Sequence, residues 1–172
     1  TLADPFYDKG SRYTTPYVTY STGIGWRTDM VPADIAGMDN PWEIFWDPEF
    51  KGITGLYDEY RDALSVGMYR SGITNVNGAA SSDLEKARDN LLELPDLMDI
   101  RYTIDGAYSR LSEGNLGLVQ AWSGDTLLAI QYVPEGGDAS VLRYAWPPKA
   151  TQNKVGGMIS NDCMAVLANA ER

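Results

Sequence analysis

Apolar residues along the chain fall into short continuous runs and period-two alternations, separated by amphipathic stripes. A buried strand is predicted wherever such a run is bounded by glycine, proline or polar turn residues. Strands are therefore expected at 51–57, 98–102, 116–121, 141–146 and 156–166. The aromatic and β-branched residues from 13 to 26 predict two further short strand pieces, broken near Ser21.

Helical stripes lie between these strands, and most have a start or stop signal. A capping side chain precedes the stripe, and proline or glycine follows it. The predicted helices run from the Asn40 cap to Pro48, from a cap at Asp58 onward, from a capping box at Ser82 and Glu85 to Pro95, from Ile104 to Gly114, and from a cap at Ser123 to Ile130.

Strands that alternate with helices at this spacing predict the α/β class. The expected architecture is a three-layer sandwich, with a mostly parallel sheet flanked by helices. No internal repeat, heptad pattern or low-complexity stretch divides the chain, so residues 1–172 are expected to form a single domain.

The charge balance and residue usage exclude several functions. Acidic residues number 24 and basic residues 14, without a basic cluster, so no nucleic-acid partner is expected. The chain has no histidine, which excludes His-based triads and His-ligated zinc. Its single Cys163 cannot form an internal disulfide. No cofactor or metal is expected.

Acidic residues follow the strand predicted at 51–57. Asp58 is the expected helix cap, and Glu59 and Asp62 lie three apart, so both project from one side of the first turn. Carboxylates at the carboxyl end of a strand lie where α/β sheets usually bind ligands. Acids in a first turn are also favoured by the helix dipole alone, and the local pattern favours that structural explanation.

Two other strand ends carry polar or aromatic side chains: Trp122 to Asp125, and Ser160 to Asp162. With the segment 17–22, they offer acids, aromatic walls and hydroxyls that suit a small amine. Each also has a structural explanation, with Trp122 in the core, Ser123 as a cap and Asp162 on the surface. The same acids could serve a glycosidase or hold a divalent metal, but no motif supports catalysis.

Five motifs occur in order over nearly the whole chain. They are Tyr7-Asp8 with Tyr13-Thr-Thr-Pro-Tyr-Val and Ser21-Thr-Gly-Ile-Gly, then Trp42-Glu-Ile-Phe-Trp-Asp-Pro-Glu-Phe-Lys-Gly, Leu56-Tyr-Asp-Glu-Tyr-Arg-Asp-Ala-Leu, Leu118-Val-Gln-Ala-Trp-Ser-Gly-Asp and Asn161-Asp-Cys-Met-Ala-Val. In these motifs the chain resembles the spermidine/putrescine-binding proteins of bacterial ABC importers, a group with the type II periplasmic-binding-protein fold.

The resemblance implies two α/β lobes with a ligand between them, this chain being the second lobe. Hinge segments are then expected at about 13–26 and 156–166, and the first lobe is expected to be absent. The chain begins with Thr1 rather than Met, so we expect a processed chain or an excised domain.

The resemblance also implies a role for particular residues. Glu59, Asp62 and Asp162 match acids that pair the ligand amines, and Trp122 matches an aromatic that stacks on the ligand. Where the polyamine binders carry a second Trp, this chain has Ser160. Related binders take amino-acid-like solutes, so that alternative stays open. Further expected ligand-binding residues are Ser160, Tyr20 and Ser123.

The expected function is the solute-binding component of an ABC importer, delivering spermidine, putrescine or a similar amine to a membrane permease. The intact protein is then extracytoplasmic, either periplasmic or lipid-anchored, and not an enzyme. An effector-binding domain of a regulator is the second expectation, and an enzyme that uses the carboxylates is the third. A lobe without its partner is also expected to self-associate.

Overall fold

The computed structural model describes residues 4–147 and 156–170. Within them the strands are β1 (Thr15–Arg27), β2 (Thr54–Leu56), β3 (Arg101–Tyr102), β4 (Leu118–Trp122), β5 (Leu142–Ala145) and β6 (Ile159–Met164). The α-helices are α1 (Tyr60–Arg70), α2 (Ser81–Met98) and α3 (Ser123–Ala129). Short 3-10 helices span Ile35–Gly37, Pro41–Trp46, Pro48–Phe50, Ile130–Tyr132 and Ala139–Val141, and a π-helix spans Gly106–Arg110. None of the helices in these described ranges is long and apolar enough to cross a membrane.

The sheet has the strand order β3-β2-β4-β1-β5, and β6 pairs with the outer part of β1. Strand β2 runs parallel to β3 and β4, whereas β1 runs antiparallel to β4, β5 and β6. The predicted α/β class is confirmed, but the prediction of a mostly parallel sheet is wrong, because the described pairings are mixed. Strand direction depends on how distant segments pair, which the local apolar pattern does not encode.

β1 is one continuous strand, and the predicted break near Ser21 is a change of partner. Thr15 to Ser21 pairs with β6, and from Thr22 onward the neighbours are β4 and β5. The first half is largely exposed and the second half is buried, so the residue pattern changes although the backbone does not. The register shifts between Pro16 and Val18, which is the signature of a β-bulge.

The sheet separates two apolar clusters, because successive side chains of a strand point to opposite faces. Leu118 of β4 packs with Val66 of α1 and Leu94 of α2. Its neighbour Val119 packs on the other face, with Leu111 beyond the π-helix. The three layers expected from the sequence are therefore present.

Helices α1 and α2 pack with almost no space between their backbones. A Cβ atom added to Gly67 would lie 2.6 Å from the backbone oxygen of Ala87. That distance is shorter than any side chain tolerates, so glycine at position 67 is what permits this approach.

The strand-to-helix corner differs from the sequence prediction in its boundaries. β2 covers three residues of the predicted 51–57. The helix cap is Glu59, whose Oε2 accepts a hydrogen bond from Asp62 N at 2.8 Å, and Asp58 is an exposed residue before it. The prediction that Asp58 caps α1 is therefore wrong by one position.

The predicted limits of α2 are also wrong. The helix begins at Ser81, with Ala80 at the cap position. The capping bond is made by Asp83, whose Oδ2 accepts a hydrogen bond from Ala80 N. The predicted capping box of Ser82 and Glu85 is therefore wrong. Pro95 lies within the helix and not at its end. Proline removes one backbone donor, which this exposed final turn tolerates.

The aromatic segment at 41–46 is helical, as its cap and proline predicted, and the helix is of the 3-10 type. Asn40 Oδ1 accepts from Trp42 N, and Pro48 begins a separate 3-10 turn after it. Trp42 is fully buried, and its Nε1 donates to the backbone oxygen of Gly156 at 3.0 Å. This bond connects the core to the segment that leads into β6.

Candidate functional site

One face of the sheet changes from apolar to polar along β1 and β4. Ile24 and Leu118 lie in the core beneath α1, and the next residues on that face, Thr22 and Gln120, are buried but polar. Trp122 follows on β4 and pairs directly with Thr22. The candidate site begins where this core ends, because alternate residues of a strand share a face.

Asp62 projects from the first turn of α1 onto this polar end, and only 8% of the residue is exposed. Its Oδ2 accepts a hydrogen bond from Trp122 Nε1 at 3.2 Å, and its Oδ1 accepts one from Thr22 Oγ1 at 3.3 Å. Burial is the main cause that raises the pKa of Asp62; the charge of Glu59 adds to it, and the Trp122 bond opposes it. None of the ion pairs among the described residues includes Asp62.

Glu59 lies next to Asp62 but has a structural contact of its own. Its carboxylate accepts the Asp62 backbone N–H, which satisfies a free donor of the first turn. The structure therefore brings Glu59 and Asp62 together, as the spacing predicted. Of the two, Asp62 is the one directed at the aromatic residues.

Tyr57 and Asp125 hold Trp122 in place from the other side. The Tyr57 and Trp122 rings stack with centroids 4.3 Å apart and planes 28° apart. Trp122 N donates to Tyr57 Oη at 2.7 Å, and Tyr57 Oη donates to Asp125 Oδ2 at 3.2 Å. Burial raises the pKa of both the Tyr57 phenol and the Asp125 carboxyl.

Tyr57 was not a predicted site residue, and Asp125 was named only as the end of the Trp122 corner, without a ligand role of its own. Tyr57 ends an apolar run, and its sequence position is that of an ordinary strand residue. The available signal was the position of Asp125, three residues after Trp122 in a strand-to-helix corner. A local pattern cannot show that the two side chains meet across the corner.

Tyr20 connects this sheet to the ribbon formed by β1 and β6. Its cross-strand partner is Ser160, and its Oη donates to Oδ1 of the diagonal residue Asp162 at 3.4 Å. Its ring meets Trp122 edge-on, with centroids 5.8 Å apart. Burial first, and then the charge of Asp162, raises the pKa of Tyr20.

Ser123 lies beside this group, although it is not the cap of α3 as predicted. The helix begins at Ser123 itself, with Trp122 at the cap position and no capping side chain. The Ser123 hydroxyl accepts a hydrogen bond from Ser21 N at 3.3 Å. Ser123 thus contacts the backbone where β1 changes partners. Its role as a ligand residue stays a prediction.

A groove of about 680 Å³ adjoins these residues on the ribbon side. Its lining includes Tyr20, Arg61, Tyr69, Asn77, Met158 and Ser160. The groove size is that of a small-molecule site. Ser160, at which the sequence resemblance implies a tryptophan in the polyamine binders, is one of the residues that line this groove.

The arrangement places two carboxylates, Asp62 and Asp162, on either side of two aromatic rings, those of Trp122 and Tyr20. Carboxylates accept hydrogen bonds from ammonium groups, and aromatic faces attract cations and cover methylene chains. Within residues 4–147 and 156–170, no cluster of three or more His, Cys, Asp or Glu side chains is arranged to hold a metal ion.

Comparison with known proteins gives relatives over nearly the whole chain, although no family model matches it. The spermidine/putrescine-binding periplasmic protein of Salmonella typhimurium is 27% identical over 172 residues, which is 99% of this chain and 44% of the relative. The putrescine/agmatine-binding protein of Pseudomonas aeruginosa is 27% identical over 174 residues, covering 95% of this chain and 44% of that protein.

A solved structure agrees with these relatives. The spermidine/putrescine ABC transporter substrate-binding protein of Streptococcus pneumoniae superposes with a TM-score of 0.69 at 21% identity, over 95% of this chain and 45% of its own. The resemblance expected from the motifs and the fold expected from it are confirmed. All three proteins are named for binding, and this chain spans less than half the length of each.

Proposed function

We propose that this chain is the second lobe of an ABC-importer solute-binding protein and binds the ammonium groups of a small amine, spermidine or putrescine being the leading class. The observation that carries the proposal is the order Asp62, Trp122, Tyr20, Asp162 along one continuous face. The named ligands of the curated relatives support the same ligand class.

The binding step follows from the state of Asp62. The buried Asp62 carboxylate accepts hydrogen bonds from two neutral donors, the Thr22 hydroxyl and the Trp122 indole. Its negative charge is therefore not balanced by a bonded cation. An ammonium group that reaches Asp62 supplies the balancing positive charge and gains strong hydrogen bonds in a site with little water. Asp162 is exposed and offers a second carboxylate for another amine of the same molecule.

We propose further that the ribbon of β1 and β6 forms hinge strands toward a first lobe. Large apolar side chains on it are exposed: Tyr17, Val18, Ile159 and Met164. Apolar exposure of this kind favours contact with another protein surface. Hinge closure of two lobes around the solute would produce the form that a membrane permease recognises, outside the cytoplasm and without catalysis.

Calorimetric titration of the full-length protein with spermidine, putrescine and an amino-acid panel tests the proposal. We expect a polyamine or another amine to bind with micromolar or lower Kd. Asp62→Asn should weaken binding by about 1–3 kcal/mol, because a charged acceptor is lost from a desolvated pair. Asp96→Asn is a matched control, because Asp96 is exposed on α2.

Three outcomes decide among the expected functions. Unchanged affinity in Asp62→Asn would remove this residue from the site. If no compound of the panel binds, the transport proposal is overturned and the regulatory alternative is favoured. Turnover of a glycoside or ester would revive the enzyme alternative.

A further inference from the structure

The groove beside Asp62 and Asp162 is lined by a basic side chain, in contrast to these two acidic residues. The net charge of the chain is −10, yet within residues 4–147 and 156–170 no Asp or Glu lines the groove. The charged side chain among these lining residues is Arg61, and the polar ones include Thr74, Asn77, Ser160 and Asn161. A ligand that extends from the carboxylates into the groove therefore meets a cation.

Arg61 is positioned by its neighbours in the chain and in space. It is the second residue of α1, directly before Asp62, and its Nη2 donates to Asn77 Oδ1 in the loop between α1 and α2. Four other arginines pair with a carboxylate, namely Arg27, Arg70, Arg88 and Arg110. Among the described residues Arg61 has no such partner, and neither do Arg12, Arg101 and Arg143; of these four, Arg61 is the one that lines the groove. A guanidinium has five N–H donors in a planar fork, and the amide of Asn77 uses one of them.

We propose that Arg61 and Asn77 form an anion subsite, and that the ligand carries a carboxylate in addition to its ammonium group. The proposal rests on the proposed function, since it assigns a second recognition point to the same site. The planar fork of Arg61 matches a carboxylate, and Asn77 holds the fork at the wall of the groove. Within the small-amine class the preferred ligand is then a zwitterionic amine such as a diamino acid, and polyamines such as putrescine bind through the carboxylates alone.

A competing explanation of Arg61 is electrostatic. The positive charge of Arg61 favours the ionised form of its neighbour Asp62 and offsets a small part of the rise in the pKa of Asp62 that burial causes. If that were its whole role, loss of Arg61 would weaken every amine ligand by the same factor. Recognition of a carboxylate instead requires that only ligands with a carboxylate are affected.

Pairs of ligands that differ by one carboxylate separate these explanations. Ornithine and putrescine form one pair, and lysine and cadaverine form another. We expect the wild-type full-length protein to bind the amino acid of at least one pair more tightly than its diamine. Arg61→Gln should lower that preference by about tenfold or more and leave the diamine affinity almost unchanged. Arg61→Lys keeps the charge without the fork and should give an intermediate ratio.

Arg88→Gln is the matched control, because Arg88 is exposed on α2 and pairs with Asp89. It should leave all affinities unchanged. Diamine binding with no preference for the amino acids, or an equal loss for both members of a pair in Arg61→Gln, would overturn the anion subsite and keep the amine site. Failure of every ligand to bind, with the fold intact by circular dichroism, would overturn the amine site itself and the subsite with it.

Discussion

Tyr57 and Trp122 lie against each other with ring centroids 4.3 Å apart, and the Tyr57 hydroxyl accepts the backbone N–H of Trp122. One face of the Trp122 indole is therefore covered by the protein. Its edge is fixed as well, because Nε1 donates to Asp62. The ring of Tyr20 meets the indole edge-on, with centroids 5.8 Å apart. The geometry of the proposed aromatic wall is thus set before any ligand binds.

Replacing Tyr57 by Phe should destabilise the fold by about 1–3 kcal/mol. The substitution keeps the stacked ring but leaves Trp122 N and the half-buried Asp125 without their hydroxyl partner. Urea unfolding measures the difference. Tyr60→Phe serves as the control, because Tyr60 is 78% exposed and should change stability by less than about 0.5 kcal/mol. Equal stability of Tyr57→Phe and the wild type would show that the hydroxyl network contributes nothing.

Asp62 should make stability depend on pH in the direction opposite to a salt-bridged acid. Its pKa in the folded protein lies above the ordinary value of 3.8, so the folded state binds this proton more tightly than the unfolded state does. The contribution of Asp62 to the free energy of unfolding is therefore largest below pH 3.8 and decreases as pH rises through the raised pKa. Asp62→Asn should remove that decrease, giving a flatter stability profile in urea unfolding across pH. A profile unchanged by the substitution would contradict the burial argument.

The same carboxyl should couple amine binding to pH. Only the ionised form of Asp62 attracts an ammonium group, so affinity should fall as pH drops through the raised pKa of Asp62. Calorimetry in two buffers of different ionisation enthalpy should show proton release on binding near that pKa. Binding without proton release in the wild type, or identical release in Asp62→Asn, would place the coupled proton elsewhere.

Ser160→Trp should fill part of the groove and add a second aromatic wall next to Tyr20. Ser160 pairs directly with Tyr20, so a tryptophan there would contact the ring from the ribbon side. We expect spermidine affinity to rise, because an aromatic face attracts the ammonium groups and covers the methylenes. Leu127→Trp is the matched control, because Leu127 is exposed on α3 and is not among the residues that line the groove. An equal rise of spermidine affinity in both variants would indicate nonspecific binding to an added tryptophan.

Gly67→Ala should lower the free energy of unfolding by about 1–3 kcal/mol, because the new Cβ would overlap the Ala87 backbone between α1 and α2. Gly124→Ala in α3 has nothing within 4 Å of its Cβ and should be neutral or stabilising by up to about 1 kcal/mol. Thermal unfolding of the two variants gives the comparison. Equal effects would show that the close helix contact does not constrain position 67.

The sequence predicted those features that depend on local chemistry. The capped aromatic segment after Asn40, the strand before Trp122 and the α/β class all follow from patterns a few residues long. The candidate residues Asp62, Trp122 and Asp162 followed from their positions at the ends of predicted strands, and their individual ligand roles from the resemblance; the structure places them along one face.

What the sequence did not predict depends on distant partners. The continuity of β1 past Ser21 is set by β4, β5 and β6, and the antiparallel pairings are set by the same neighbours. Glu59 caps α1 rather than Asp58. Both side chains can accept the capping hydrogen bond, and a helix boundary cannot be predicted from sequence to within one residue. The contact of Tyr57 with Asp125 joins residues 68 apart in the chain.

The change of partners within β1 has a consequence for ligand length. Asp162 lies on the ribbon that pairs with the first half of the strand, and Asp62 contacts Thr22 at the start of the second half. The distance between the two carboxylates therefore depends on the backbone twist between Ser21 and Thr22. A few degrees of rotation there would lengthen or shorten the span that two ammonium groups must bridge. Selectivity for ligand length would then depend on the backbone of β1 as well as on the side chains of the site.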